Sequence, residues 1–231
     1  MKISGSGTLS KMNLNDTISS SGSVRITGEV ECLGFRSSGS AKGDGNLIVH
    51  GDFKSSGSFN LRGALNTDGS ARSSGSATIE KELFVKGKLE SSGSLRVGNG
   101  VEALEGIRFS GSSRVDGGII SEKVIEIDGS TTIRGDIKAN DVLFGTNAPF
   151  SGKRGVKHPY KVFGKIFAEN ELELINTFVD GDVRGREVKI GRKTEVTGKV
   201  YYIDSIEVDP KTTLAHQPIQ ISEITEDKIT K

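Results

Sequence analysis

A Ser-Gly-Ser motif recurs along this chain at a nearly constant spacing, and this recurrence constrains the fold more than any other feature. Its glycine stands at positions 5, 22, 39, 57, 75, 93 and 111, and Asp128-Gly129-Ser130 continues the series. Successive spacings are 17, 17 and then 18 residues. A fixed period maintained over more than half of the chain is typical of a solenoid, in which each repeat forms one coil that stacks on the next.

Each repeat is divided by glycine into three segments of six residues or close to it. Apolar side chains occupy alternate positions between the glycines, as in Phe59 and Leu61, which predicts strands with one buried face. Because the segment length is even, the alternation keeps its phase around the coil. We expect glycine at the corners because it permits bends that a residue with a Cβ atom resists. The predicted corner glycines are Gly39, Gly45, Gly51, Gly57, Gly63, Gly69, Gly75, Gly93, Gly111 and Gly129.

The predicted fold is all-β: a single-stranded parallel β-helix with triangular coils of 17–18 residues, about eleven coils in all. One such coil cannot pair its own backbone groups, so the coils above and below it supply both hydrogen bonds and core. Hydrophobic residues make up only 33% of the chain and tryptophan is absent, which suits a thin, repetitive core. A flexible Gly/Ser linker is the competing interpretation, but linkers do not hold apolar residues in phase with glycine.

Four segments are predicted along the chain. Residues 1–145 form the amino-terminal coils, and residues 146–162 form a loop excursion, because they contain Pro149 and Pro159 and lose the phase. Residues 163–214 resume the pattern as carboxy-terminal coils that continue the first stack. Residues 215–231 become charged and are predicted to be a tail or a cap on the last coil.

Charge and composition predict neither nucleic acid nor nucleotide as a partner. The 31 Lys and Arg residues are balanced by 30 Asp and Glu residues, and the two signs are mixed along the sequence, so no basic face is expected. The phosphate-binding motif G-x-x-x-x-G-K-[ST] does not occur. The sequence has no apolar run of membrane-spanning length and begins without a signal-peptide core, which predicts a cytoplasmic location. Cys32 stands alone and cannot form an internal disulfide.

No catalytic residue, metal ligand or cofactor is predicted. The three histidines, His50, His158 and His216, are far apart and lack a Cys or acidic neighbour at ligand spacing. An acyltransferase of the hexapeptide-repeat class is the enzyme alternative, because those enzymes are β-helices with the same six-residue period; it predicts a trimer that binds an acyl donor. Their repeat places an aliphatic residue directly before glycine, which occurs at Ile190-Gly191 but at few other places, so a non-enzymatic role is preferred.

Two columns of serine are expected to face outward at one corner. A flat array of hydroxyl groups could present itself to a glycan or a protein, so a binding module that uses this ladder or the 146–162 loop is the alternative function. The simpler interpretation is that these serines are turn residues that bond their own backbone. The first column is Ser21, Ser38, Ser56, Ser74, Ser92 and Ser110, and the second is Ser23, Ser40, Ser58, Ser76, Ser94 and Ser112.

The stretch from Val179-Asp180-Gly181-Asp182-Val183 through Val188-Lys189-Ile190-Gly191 to Val196-Thr197-Gly198-Lys199-Val200 resembles the core repeat of the bactofilins, the polymer-forming cytoskeletal proteins of bacteria and some archaea. The repeated S-G-S and G-D-x-x motifs of the amino-terminal half look like longer members of the same family. The resemblance implies a right-handed β-helix that joins end to end into filaments without nucleotide. It also implies a scaffold for envelope-shaping or membrane-associated partners, and hence association with the membrane.

The ends of the predicted β-helix point to self-assembly on separate grounds. A β-helix has two open edges, and nothing in the sequence before residue 4 predicts a helical cap. We therefore predict a structural protein that binds further copies of itself through its end coils. The residues predicted to make these contacts are Leu9, Met12, Leu14 and Ile18 at the first coil, and Val200, Tyr202, Ile206 and Val208 at the last.

Overall fold

The structure, a computed structural model, describes residues 1–146 and 159–223, and the regular structure in those ranges is entirely β-strand. The first three strands are β1 (Lys2–Ile3), β2 (Ser6–Ser20) and β3 (Ser23–Ser37). The strands that follow, up to the break in the pattern, are β4 (Ser40–Gly43), β5 (Leu47–Val49), β6 (Phe53–Ser55), β7 (Ser58–Leu61), β8 (Leu65–Thr67), β9 (Ala71–Ser73), β10 (Ser76–Ile79), β11 (Leu83–Val85), β12 (Leu89–Ser91), β13 (Ser94–Val97), β14 (Val101–Ala103), β15 (Ile107–Phe109), β16 (Ser112–Val115), β17 (Ile119–Ile120), β18 (Val124–Ile127), β19 (Thr131–Ile133), β20 (Ile137–Ala139) and β21 (Asp141–Phe144). The strands after the break are β22 (Tyr160–Val162), β23 (Ile166–Ala168), β24 (Glu171–Leu174), β25 (Thr177–Val179), β26 (Val183–Ile190), β27 (Glu195–Val196), β28 (Val200–Val208), β29 (Thr213–Leu214) and β30 (Ile219–Gln220).

Strands pair in parallel with the strands one coil away, which confirms the predicted parallel β-helix. Ser40 pairs with Ser58 and Ser58 with Ser76, so that the Ser-Gly-Ser motifs lie directly above one another. The pairing carries the hydrogen bonds that a single coil cannot make for itself. The backbone N–H and C=O groups of these short strands thus find their partners in the coils above and below.

Each coil has three sides, which we name A, B and C in chain order. In the coil of residues 40–55, β4 forms side A, β5 side B and β6 side C. The strand β1 lies on side C, and β29 and β30 lie on sides A and B. The described residues therefore form eleven complete coils, preceded by one side and followed by two, or twelve turns in total. This count is close to the predicted eleven.

The coils on either side of the break stack directly on each other. Tyr160 pairs with Thr131, and β23 pairs with β20 in the same way. The predicted excursion of residues 146–162 was therefore wrong at its carboxy-terminal end, because Tyr160 and Val162 are buried in strand β22. Pro159 precedes this strand, where a missing backbone donor costs little. Residues 147–158 of the predicted excursion and residues 224–231 of the predicted tail lie outside the described residues.

The core consists of columns of side chains that run along the axis, one member from each coil. Phe35, Phe53 and Phe59 meet where two such columns adjoin, with ring centroids 4.8–5.8 Å apart. Cys32 is part of this interior, and its burial raises the pKa of the thiol to about 11. A thiol that stays protonated is a poor nucleophile, so Cys32 is a small packing residue.

The ten corner glycines named above lie between consecutive strands, but the physical reason for glycine differs from the predicted one. None of the ten has a positive φ. Instead, the corner backbone of each coil lies against that of the coil before it, so that a Cβ atom on Gly75 would overlap the carbonyl oxygen of Gly57. The other nine meet the preceding coil's backbone in the same way. Close approach between coils, and not the bend itself, excludes a side chain.

Candidate assembly surfaces and a serine-lined groove

The amino-terminal end of the stack leaves part of the core open. Met12 and Leu14 lie on side B of the first complete coil, in the columns of the buried Val30 and Cys32, yet both are only half-buried. Leu9 and Ile18, predicted to contact a partner, are fully buried and contribute no accessible surface. Strand β1 explains part of this difference, because it pairs with Ser19 and Ser20 and covers side C.

The carboxy-terminal end is open in a similar way. Tyr202 and Ile206 are half-buried, and Val208 exposes 39% of its surface, whereas Val200 is fully buried one step inside the coil. Strand β30 covers side B, where the Gln220 side-chain amide donates a hydrogen bond to the backbone oxygen of Ile203 over 2.9 Å. Strand β29 covers side A, and side C carries no further strand among the described residues.

Half-buried hydrophobic residues that pack against the core occur at these two ends. One of them, Leu214 on side A, was not among the predicted residues; its column partner Val196 is buried. Leu214 lies in a strand of only two residues, which is too short to show an alternation of apolar and polar positions. The five residues of this kind are Met12, Leu14, Tyr202, Ile206 and Leu214. Both ends of the stack are therefore apolar surfaces framed by backbone edges.

The two ends also carry opposite charge. Residues 1–20 contain Lys2 and Lys11 against Asp16, which gives a formal side-chain charge of +1. Residues 200–223 contain four acidic residues against Lys211, with a formal charge of −3. Charge complementarity of this kind favours contact between unlike ends over contact between like ends.

A groove of about 900 Å³ runs along the corner between sides C and A, from Lys2 to Ser110. We name this corner the serine corner; it comprises residues 20–23 and their equivalents in the next five coils. The floor of the groove contains Ser20, Ser37, Ser55, Ser73 and Ser91. One wall is the first predicted ladder: Ser21, Ser38, Ser56, Ser74, Ser92 and Ser110. The opposite wall carries Arg36, Lys54, Arg72, Glu90 and Arg108, one per coil.

The walls of this groove correct the expectation that no basic face exists. The residues of the charged wall stack in register, with Arg36 beside Lys54 and Lys54 beside Arg72. A second column on side A, across the serine corner, contains Arg25, Lys42, Arg96 and Arg114. The two signs are mixed along the chain, but stacking brings together every seventeenth or eighteenth residue and so places Arg36, Lys54 and Arg72 side by side, with Glu90 next in the same column. These basic columns become visible in the sequence when charged residues are compared at intervals of 17 or 18 residues.

The histidines also occupy surroundings that the sequence did not indicate. His50 lies between Glu31 and Asp68 of the adjoining coils, with 2.9 Å between Nδ1 and the Asp68 Oδ2 atom. Hydrogen bonding to Glu31, and then to Asp68, raises the pKa of His50 above its ordinary value. His50 therefore has two acidic neighbours in space, although none stands at metal-ligand spacing in the sequence. His216 is exposed and His158 lies outside the described residues.

Within residues 1–146 and 159–223, no cluster of three or more His, Cys, Asp or Glu side chains is placed to hold a metal ion. The same ranges contain no helix of the length and apolarity needed to cross a membrane. Comparison with protein-family models, with curated proteins and with solved structures found no match to this chain.

Proposed function

We propose that this protein is a structural element that assembles end to end into filaments without nucleotide. The observation that carries the proposal is the incomplete burial of core columns at both ends of the stack. At about 25 cal/mol per Å² of apolar surface, covering such ends favours association. Unpaired strand edges frame the same surfaces and supply hydrogen-bonding groups to a further coil. The all-β solenoid agrees with a structural or scaffold role.

The stack supports contact between unlike ends through its first and last described strands. It begins on side C with β1 and ends, among the described residues, on side B with β30. A second copy placed on the carboxy-terminal end would therefore lay its side C on Ser205–Val208, its side A on β29 and its side B on β30. Strand β1 of one copy, on side C, and strands β29 and β30 of the other, on sides A and B, together make one complete coil. The described strands of stacked copies would thus continue one spiral, and such a contact does not close on itself, so it builds filaments.

The resemblance of residues 179–200 to the bactofilin repeat supports the same role, because the bactofilins form cytoskeletal polymers. On this proposal the protein would serve in the cytoplasm as a scaffold for envelope-associated or membrane-associated proteins. Its principal partner would be a further copy of itself.

Electron microscopy of the purified protein in nucleotide-free buffer tests the proposal. We expect filaments or short rods for the wild type. An acidic side chain on either end, Leu14→Asp or Ile206→Asp, should stop growth because it would be buried unpaired in the contact. The matched control is Ile120→Asp, which places the same charge on a lateral face where Ile120 exposes 46% of its surface; this variant should assemble normally. Monomers of the wild type at high concentration would overturn the proposal.

The same variants determine the polarity of assembly. If unlike ends meet, Leu14→Asp and Ile206→Asp are each monomeric alone, but together they form a dimer through their two intact ends. If like ends meet, each variant dimerises alone and mixing adds nothing. Sedimentation velocity of the separate and mixed proteins distinguishes these outcomes.

A further inference from the structure

The serine corner and its groove are a second surface that end-to-end assembly leaves free, because they lie along the side of the stack. We propose that this groove binds a linear polysaccharide whose sugar units carry carboxylate groups. The groove spans seven coil levels, from Lys2 to Ser110, or roughly 29 Å at a strand spacing of about 4.8 Å. A chain that lies in it runs along the axis and meets one equivalent set of side chains per coil. The ligand must therefore be extended and repetitive.

The charged wall supplies the contacts for anionic groups. Arg36 and Lys2 form no ion pair among the described residues, and the carboxylate nearest to Lys54 is that of Asp52, at 3.7 Å. Further along, Arg72 pairs with Glu90 over 2.8 Å. Uncompensated cations are thus concentrated in the amino-terminal part of the groove. Guanidinium groups bind carboxylates through paired hydrogen bonds, which makes arginine the appropriate residue at this wall.

The exposed serines of one wall offer hydroxyl groups to a ligand, whereas the serines of the floor offer only their backbone. Ser20, Ser37, Ser55, Ser73 and Ser91 are at least 94% buried, and none of their Oγ atoms has a hydrogen-bond partner. Buried polar groups without a partner are uncommon and call for an explanation. These hydroxyl groups share the inward face of side C with Phe35 and Phe53, so a ligand in the groove does not reach them; it meets the exposed serines of the wall, one at each coil. Hydroxyl groups on both molecules can then bond in either direction.

The chemistry of the groove favours a glycan over a peptide or a single-stranded nucleic acid. A peptide that adds a strand to a sheet needs free backbone groups, but here the backbone groups at the serine corner bond between coils, as in the 3.0 Å bond from Ser76 N to the Gly57 oxygen. Single-stranded nucleic acid is held largely by bases stacking on aromatic rings, and no aromatic side chain lines the groove. Hydroxyl and carboxylate groups on a repeating chain match what the two walls present.

Binding of fluorescently labelled alginate oligosaccharides to the full chain tests the proposal, with neutral dextran of similar length beside them. We expect saturable binding of alginate, weakened by salt because the contacts are between charges on an open surface, and no binding of dextran. Polyglutamate and oligothymidylate serve as rivals of the other two macromolecular classes. Either rival binding as tightly as alginate, or alginate failing to bind, would overturn the proposal.

Matched variants locate the site. The triple change Arg36→Gln, Lys54→Gln and Arg72→Gln should weaken binding roughly tenfold or more, because three exposed charge contacts are lost together. The control Lys81→Gln, Lys123→Gln and Lys165→Gln removes the same charge outside the groove and should bind as the wild type does. If both triple variants bind equally well, the groove is not the site.

A second pair of variants blocks the groove without a change of charge. Ser74→Trp fills one wall, whereas Ser76→Trp places the same ring on the neighbouring serine column, which does not line the groove. Both serines are exposed, so both variants should keep the melting temperature of the wild type. Loss of alginate binding in Ser74→Trp alone supports the proposal, and equal binding by the two variants contradicts it.

Discussion

The middle coils and the end coils are built from the same repeat, yet the same residue type has different neighbours in the two regions. Gly75 lies in the middle of the serine corner, and a Cβ atom on it would overlap the Gly57 backbone. Gly5 occupies the equivalent corner position at the amino-terminal end, and a Cβ atom there would meet nothing within 4 Å. The structural role of a residue in this fold is therefore set by its coil as much as by its position in the repeat.

The hydrophobic columns show the same difference. Leu61 is fully buried between two coils, whereas Leu14, an inward-facing residue of the first complete coil, is only half-buried. In a solenoid each repeat contacts its neighbours only, so an end repeat has half of the contacts of a middle one. The apolar surface that a middle coil buries against its neighbours stays partly exposed at the ends. It can be buried there by contact with another molecule.

The largest expected effect is at the corner glycines. We expect Gly75→Ala to lower the free energy of unfolding by about 5 kcal/mol or more, because the added methyl group must force two coils apart. Gly5→Ala should leave it nearly unchanged. Urea unfolding of the two variants checks the contrast.

Gly5→Ala also probes the end contact, because the added Cβ would face a neighbouring copy in a filament. A fully folded variant that assembles less well than the wild type would show that this end is covered in the assembly. Equal destabilisation by Gly5→Ala and Gly75→Ala would remove the distinction between middle and end.

A smaller contrast is expected in the hydrophobic columns. Leu61→Ala should cost about 3 kcal/mol, since it leaves a cavity between coils. Leu14→Ala should cost under about 1 kcal/mol in the monomer, because its side chain is already partly in water. Thermal unfolding at a concentration too low for assembly measures both, and a cost for Leu14→Ala as large as that for Leu61→Ala would mean that the first coil is covered.

The smallest effect is expected from a chain of side-chain hydrogen bonds on the outer surface, which runs from the first coil to the fourth. Asn13 bonds Glu31, which bonds His50, and His50 bonds Asp68. Because these contacts raise the pKa of His50, its stabilising contribution is present below the unfolded-state pKa of about 6.5 and is lost as the pH rises through the folded-state value.

The melting temperatures of the wild type and His50→Gln should therefore differ most below the unfolded-state pKa of about 6.5 and converge as the pH rises through the raised folded-state value. Glu31→Gln is the matched variant and should reduce the same pH dependence. A difference that grows with increasing pH would contradict this assignment of the charge on His50.

Period and phase in the sequence were sufficient to predict the coils, their three sides and the stacking of the serine motifs. Alternation also identified the inward positions correctly, including Leu14 and Tyr202 near the ends. It could not predict how well each was covered, because cover depends on the short strands β1 and β30, which carry too few residues to show a period. Ile18, on the side that β1 covers, was misjudged for this reason.

The groove could not be predicted as a site from consecutive residues. Its basic wall combines Arg36, Lys54 and Arg72, which are 18 residues apart in the chain. The intervening acidic residues, Asp44, Asp52 and Asp68, lie at corners and not in the side C column, so the average charge along the chain concealed the column. Serine was expected at the corner, but the unpaired hydroxyl groups of the floor follow from the packing of successive coils and have no counterpart in composition.

The one-coil offset of the strand pairing has a consequence for synthesis of the protein. Each strand needs only a partner that was translated about eighteen residues earlier, except across the break, where Tyr160 pairs with Thr131. A nascent chain can thus wind onto its own completed coils as it leaves the ribosome and need not wait for distant segments. Until translation ends, the growing edge is the newest coil, and the amino-terminal face is the first surface ready to receive another molecule.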